Sequence, residues 1–267
     1  MKILKLILFL LLGSILLSAT ETDTSYTNGQ FLCSGIGSGF GSYKDMGTSP
    51  LLYRGISGIL VFGCLSESAE RTWEYRMNTN YFGGFINPNY TLGYFSEEIQ
   101  LSYLHTIPVF SRSDIFFKAG GRLSTSVAGA FNPAYENASF NIDLFASMSA
   151  QAQITYVFER PEKKLKRHTI PKTQYAAFYN IDLPVLLFNA RPKFSYVPDG
   201  SGILFDKHYF LGGFRMQNKI GIRLFLPNGN AMDITYLWKM FTSGAKDIYR
   251  LETASHNLQL SYYFKLD

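Results

Sequence analysis

The chain has 267 residues, of which 46% are hydrophobic, 16% aromatic and only 17% charged, and it carries a net charge of +5. A soluble domain usually carries about 25% charged residues, so the composition excludes an ordinary water-facing globule and suits a protein that shows apolar surface to lipid. The charge is mild and no basic cluster is interleaved with aromatics on one face, so nucleic acid is not an expected partner.

The first 19 residues read as a cleaved secretory signal peptide. Lys2 and Lys5 form a basic start, Leu6 to Leu17 an apolar stretch broken only by Gly13 and Ser14, and Ala19 a small residue at the cleavage point. The apolar run is too short to span a bilayer well. Residues 20–29 form an N-terminal segment, and residues 30–267 the main domain. After Ala19 no run of about 18 apolar residues remains, so no transmembrane helix is expected.

Period two then dominates. Successive side chains of a strand face opposite sides. Trp73, Tyr75, Met77, Thr79 and Tyr81 oppose Glu74, Arg76, Asn78 and Asn80. Ile115, Phe117, Ala119, Gly121 and Leu123 oppose Phe116, Lys118, Gly120 and Arg122. From Phe140 to Phe158 the alternation is broken only by Phe145 and Val157. Met232, Ile234, Tyr236, Trp238 and Met240 oppose Asp233, Thr235, Leu237 and Lys239. The chain closes on Leu258, Leu260, Tyr262, Phe264 and Leu266, an ending that resembles the terminal strand recognised by barrel-assembly machinery; the final Asp267 departs from it. Soluble strands usually run about five or six residues, whereas tilted membrane strands need roughly ten.

The predicted fold is therefore an all-β, antiparallel, up-and-down transmembrane barrel. Ten strands are expected, at roughly 30–43, 51–65, 70–84, 94–107, 112–128, 139–158, 174–190, 206–226, 230–242 and 247–266. Turn residues separate them, among them Asn87-Pro88-Asn89, Asn132-Pro133 and Pro227-Asn228-Gly229. An extra strand from Arg191 to Val197 would push the count toward twelve, and eight is the other alternative. With both termini periplasmic, the turns near 66–69, 108–111, 159–173 and 227–229 face the periplasm. The third is long and basic, with Arg160, Lys163, Lys164, Lys166 and Arg167. It is either a solvated loop or a periplasmic contact with an anionic surface.

The polar faces define the lumen. They supply Arg76, Lys118, Arg122, Arg215, Lys219, Arg223 and Lys239 against Glu74, Glu98, Asp143, Asp182 and Asp233. Ten strands enclose a lumen barely wider than its own side chains, and charges there must pair or keep water. The network is either an ion-paired filling or the lining of a narrow, anion-preferring channel. Ser255-His256-Asn257 shares the vocabulary of barrel lipid hydrolases, but neighbours on a strand face opposite ways, so His256 cannot serve Ser255. No His-x-His or Cys-x-x-Cys spacing occurs, and no metal or cofactor is expected.

Cys33 and Cys64 are the two cysteines. A hairpin turning between Thr48 and Ser49 would place them opposite each other, as a cross-strand disulfide or as two buried thiols. Gly35, Gly37, Gly39 and Gly41 share one face of the first strand. They serve curvature, or leave a flat stripe for a lipid or partner.

The order of features resembles an uncharacterised family of Bacteroidota outer-membrane barrels, a domain of unknown function. The resemblance covers nearly the whole mature chain. It rests on the glycine-alternating first strand, the Ser49–Gly55 segment, Asn87-Pro88-Asn89 and Ala119-Gly120-Gly121. Asp182-Leu183-Pro184, Tyr236-Leu237-Trp238 and Ala254-Ser255-His256 complete it. It implies the barrel and a bacterial outer membrane, and it brings no catalytic or binding residue. The function expected from the sequence is a structural or accessory subunit of an outer-membrane complex with a largely filled lumen. The alternatives are a small channel for polar or anionic solutes and a lipid-modifying enzyme. Expected partners are outer-membrane lipid, the assembly machinery during insertion and other outer-membrane proteins.

Overall fold

The computed structural model describes residues 28–47, 49–87, 90–133, 140–164, 169–170, 172–192, 203–209, 213–244 and 250–266. The signal peptide at 1–19, the extra strand expected beyond Pro192, and Lys166 and Arg167 lie outside the described residues.

The strands are β1 (Gly29–Asp45), β2 (Ser49–Glu67), β3 (Arg71–Asn87), β4 (Tyr90–Thr106), β5 (Ile115–Phe131), β6 (Phe140–Arg160), β7 (Lys163–Lys164), β8 (Thr169–Ile170), β9 (Thr173–Pro192), β10 (Ile203–Tyr209), β11 (Phe214–Phe225), β12 (Ala231–Ser243) and β13 (Leu251–Leu266). Each long strand pairs antiparallel with its sequence neighbour. β13 returns to pair with β1 from Gln30↔Leu266 to Asp45↔Leu251, and β6 pairs with β9 across the small β7–β8 hairpin. The result is a closed barrel of ten strand positions.

The eighth position, expected as one strand, is described as two, β10 and β11. β10 pairs with the last part of β9 and β11 with its first part, so the two share one edge of β9. The two pairings stop at Leu186 and Asp182, with Leu183, Pro184 and Val185 between them. Proline cannot donate to a ladder, and against β6 the register jumps from Met148↔Leu186 to Ser149↔Pro184, leaving Val185 as a bulge.

One end of the barrel carries Asn28 and Leu266, the first and last described residues, with the connections at 68–70, 107–114 and 226–230. Leu226-Pro227-Asn228-Gly229-Asn230 turns within five residues: Leu226 N–H donates to the Asn230 carbonyl at 2.8 Å, and Gly229 adopts φ 82°, a conformation open to glycine. Between β4 and β5 a 3-10 turn at Pro108–Phe110 makes the connection. This is called the terminal end, and the other the far end.

The alternation has the sense expected for a membrane barrel. Outward side chains are apolar and open: Ile36 is 61% exposed, Phe40 73% and Leu258 62%. Near the terminal end the outer surface carries aromatic pairs, Trp73 with Tyr103 at 4.5 Å and Tyr262 with Phe264 at 4.6 Å between centroids. Toward the far end stand Tyr81 and Phe95 at 5.3 Å. Aromatic girdles flanking an apolar band mark the two interfaces of a bilayer. No helix among the described residues is long and apolar enough to cross a membrane; the crossing elements are the strands.

The glycine face of β1 points into the lumen. A Cβ built on Gly39 would lie 1.7 Å from the His256 carbonyl oxygen, so the bend of β1 against β13 requires glycine there. The stripe is therefore a site of close backbone approach.

Both readings of the cysteine pair, cross-strand disulfide and two buried thiols, are corrected by register. Leu32 pairs with Cys64 and Cys33 with Gly63, one residue away from the assumed alignment. A one-residue slip moves a side chain to the other face. Cys33 is accordingly buried in the lumen and Cys64 exposed on the outer surface, and both are free thiols.

Candidate functional site

The lumen holds four groups of charged side chains, stacked from the terminal end to the far end. Each is positioned by strand parity, which aims alternate residues inward.

At the terminal end, Arg223 on β11 forks onto Asp233 through Nε at 2.7 Å and a second nitrogen at 2.9 Å, and also pairs with Glu67 on β2. Its guanidinium carbon stacks 4.4 Å over the Tyr263 ring. Lys118, buried on β5, lies 3.9 Å from Glu67 and donates to the Ser68 carbonyl at 2.7 Å and to Thr72 Oγ1 at 2.8 Å. Phe31, Leu65 and Tyr263 pack beside this group, and Phe116, Val157 and Ala176 form a second apolar cluster.

Above it, Arg76 pairs with Glu74 at 2.5 Å and reaches the Tyr263 hydroxyl at 3.3 Å. Arg122 pairs with Asp182, lies 3.8 Å from Glu74 and donates to Ser102 Oγ at 2.7 Å. Lys219 stands 5.3 Å over the Phe178 ring.

The third group is built on Glu98 of β4. Lys239 on β12, across the barrel, approaches its carboxylate at 3.2 Å and donates to Asn80 Oδ1 at 3.2 Å. Arg215 on β11 pairs with the same carboxylate and donates to Ser124 Oγ at 2.8 Å and Ser147 Oγ at 3.1 Å. Next to this group, toward the far end, is a cavity of about 120 Å³, with Phe82, Phe145 and Phe241 in its wall.

At the far end, Arg191 on β9 spans two carboxylates, Asp45 on β1 at 2.6 Å and Asp143 on β6 at 2.9 Å. The Asn141 amide adds a bond to Asp45 at 3.3 Å, and the Gly47 N–H another at 2.9 Å. Tyr43, Tyr53, Phe82, Leu92, Phe145 and Leu251 pack around this group as one apolar cluster.

The twelve charged residues read from the sequence as the lumen network, Glu74, Arg76, Glu98, Lys118, Arg122, Asp143, Asp182, Arg215, Lys219, Arg223, Asp233 and Lys239, thus all face the lumen. Three members escaped that reading. Asp45 and Glu67 lie just past the expected ends of the first two strands, and carrying the odd-numbered face two residues further would have found them. Arg191 had no such signal, because the Val185 bulge switches the inward face of β9 from even to odd positions.

Arg160, Lys163 and Lys164 of the basic loop lie at the terminal end, where Lys163 and Lys164 form β7. Nearby, Lys172 pairs with Glu159 at 2.6 Å on the surface. His256 faces outward, with its Nδ1 2.5 Å from the Tyr236 hydroxyl, while its neighbour Ser255 borders the lumen cavity, so the two belong to opposite faces. Among the described residues no group of three or more His, Cys, Asp or Glu is placed to hold a metal ion.

No protein-family model matches the chain, and no curated protein matches it. Solved structures with a similar arrangement of strands include the translocator domain of the autotransporter NalP from Neisseria meningitidis, at 8% identity and a TM-score of 0.41, covering 91% of this chain and 90% of that one. The transport unit of the autotransporter AIDA-I from Escherichia coli aligns at 10% identity and a TM-score of 0.43, covering 98% and 96%. The P. putida toluene transporter TodX aligns at 7% identity and a TM-score of 0.33, covering 91% of each chain. The barrel assignment rests on this chain's own strand pairing.

Proposed function

We propose that this protein is an outer-membrane β-barrel with a closed lumen, and that it serves as a structural or accessory subunit of an outer-membrane complex. One observation carries the reading: ion pairs tie strands together across the bore, Glu67 to Arg223, Glu98 to Lys239 and Asp45 to Arg191. Buried charges lose hydration and are tolerated when paired and hydrogen-bonded. A bore crossed by such pairs, with apolar clusters near both ends, resists a continuous water column.

The leading 19 residues would direct export. The closing strand β13 would be the element offered to the assembly machinery. The outer apolar surface would meet lipid and neighbouring outer-membrane proteins. The reading is tested by inserting the purified protein into planar bilayers and by isolating tagged protein from native outer membranes in mild detergent. Silence in the bilayer and a discrete larger assembly on a native gel are expected. A large, steady unit conductance overturns it in favour of a channel for polar solutes, for which the cavity beside Glu98 is the favouring observation.

A further inference from the structure

We infer that the lumen cavity beside Glu98 is a binding site for a small organic monoanion: a carboxylate whose apolar body is about the size of a benzene ring. The inference is independent of the structural role, since a barrel closed to ions can still hold one molecule inside.

Three features of the cavity define its ligand. The first is charge. Arg215 and Lys239 share one carboxylate, Glu98, so the group carries one positive charge in excess. The Lys239 ammonium has three N–H donors; among the described residues it uses them on Glu98 and Asn80. The cations are also the least covered members of the group, with side chains 16% exposed at Arg215 and 20% at Lys239 against 5% at Glu98. A cation in a low-dielectric bore is costly unless an anion answers it.

The second feature is the apolar wall. Phe82, Phe145 and Phe241 line the cavity, and the Phe145 and Phe241 rings meet edge to face at 4.8 Å. The third is size. The cavity measures about 120 Å³, and an apolar protein cavity of about 150 Å³ accepts benzene. A ligand with a charged head on Lys239 and a flat body against the phenylalanines satisfies all three. A free inorganic anion would leave the wall unused, and a neutral hydrocarbon would leave the charge unanswered.

The test is calorimetric titration of the full-length protein in detergent with benzoate, and with benzyl alcohol as the neutral counterpart. Benzoate is expected to bind saturably at one site and about tenfold more tightly than benzyl alcohol, the worth of a charge-assisted hydrogen bond. Lys239→Met removes the excess charge while leaving the Arg215–Glu98 pair, and is expected to weaken benzoate about tenfold while leaving benzyl alcohol unchanged. Lys239→Arg is expected to retain benzoate binding. Absence of saturable benzoate binding, or equal affinities for benzoate and benzyl alcohol, overturns the inference. Should Lys239→Met not fold, the two ligands compared on the wild-type protein and on Lys239→Arg still decide.

Discussion

Two ion groups in the lumen use the same chemistry in opposite proportion. At the far end one guanidinium, Arg191, sits between two carboxylates, Asp45 and Asp143. Further in, one carboxylate, Glu98, sits between two cations, Arg215 and Lys239. The far-end group is sealed: Arg191 is 2% exposed and both acids 1%. The Glu98 group borders open space. The difference shows how a narrow bore divides its labour. Where aromatics pack directly on the ions, the cluster is a clasp joining β1, β6 and β9. Where the pairings of β9 with β11 and with β10 stop on either side of Pro184, a cluster with spare charge faces room for a ligand.

Substitutions at the two groups should separate clasp from site. The largest effect is expected for Arg191→Met, which leaves Asp45 and Asp143 facing each other without their shared cation; about 3–5 kcal/mol of stability is lost. The measurement is the temperature at which the folded band of an unboiled gel sample converts to the unfolded one. Adding Asp143→Asn to that variant should recover part of the loss, because one of the two stranded charges is gone. Full recovery would mean that Asp45 is neutralised by other neighbours.

A smaller loss, about 2 kcal/mol, is expected for Glu98→Gln, since Arg215 and Lys239 border the cavity and can recover hydration there. If its loss equals that of Arg191→Met, the two groups are equivalent and the distinction falls. Lys239→Met should change stability by less than about 1 kcal/mol, because it turns an unbalanced trio into a balanced pair. A loss comparable to that of Glu98→Gln would make Lys239 part of the clasp. The smallest effect belongs to the thiols. Reductant should leave gel mobility and unfolding temperature unchanged, because Cys33 and Cys64 face opposite sides of the wall. An oxidised and a reduced form with different mobility would require a register shift of one residue.

Alternation was enough to read most of the barrel from the chain. Wherever one face must meet lipid and the other a polar bore, every second residue is constrained, so the inward and outward sets of β3, β5, β6, β12 and β13 stand in the sequence itself. Glu74, Arg76, Arg122 and Lys239 were legible as lumen residues for that reason. What alternation does not carry is an absolute alignment between neighbouring strands. Cys33 and Cys64 looked like partners because the centre of the first hairpin was misplaced by half a residue pair, and the pairing of Cys33 with Gly63 removed the disulfide. Nor does alternation survive a bulge. Val185 reverses the parity of β9, and with it the direction of Arg191, the cation that joins three strands at the far end.

The sequence by itself determined an all-β, up-and-down barrel and which face of most strands is polar; ten strand positions was its first count, and strand pairing decided between that and eight or twelve. The barrel and its polar faces are local consequences of a period of two and of the different solvents on the two sides of the wall. Only the tertiary structure decided which inward charges meet. Partners such as Glu67 and Arg223, or Glu98 and Lys239, lie 156 and 141 residues apart and come together across the bore. Their pairing depends on barrel closure, on the bend permitted by Gly39 and on the offset introduced at Val185, none of which a residue pattern within one strand can specify.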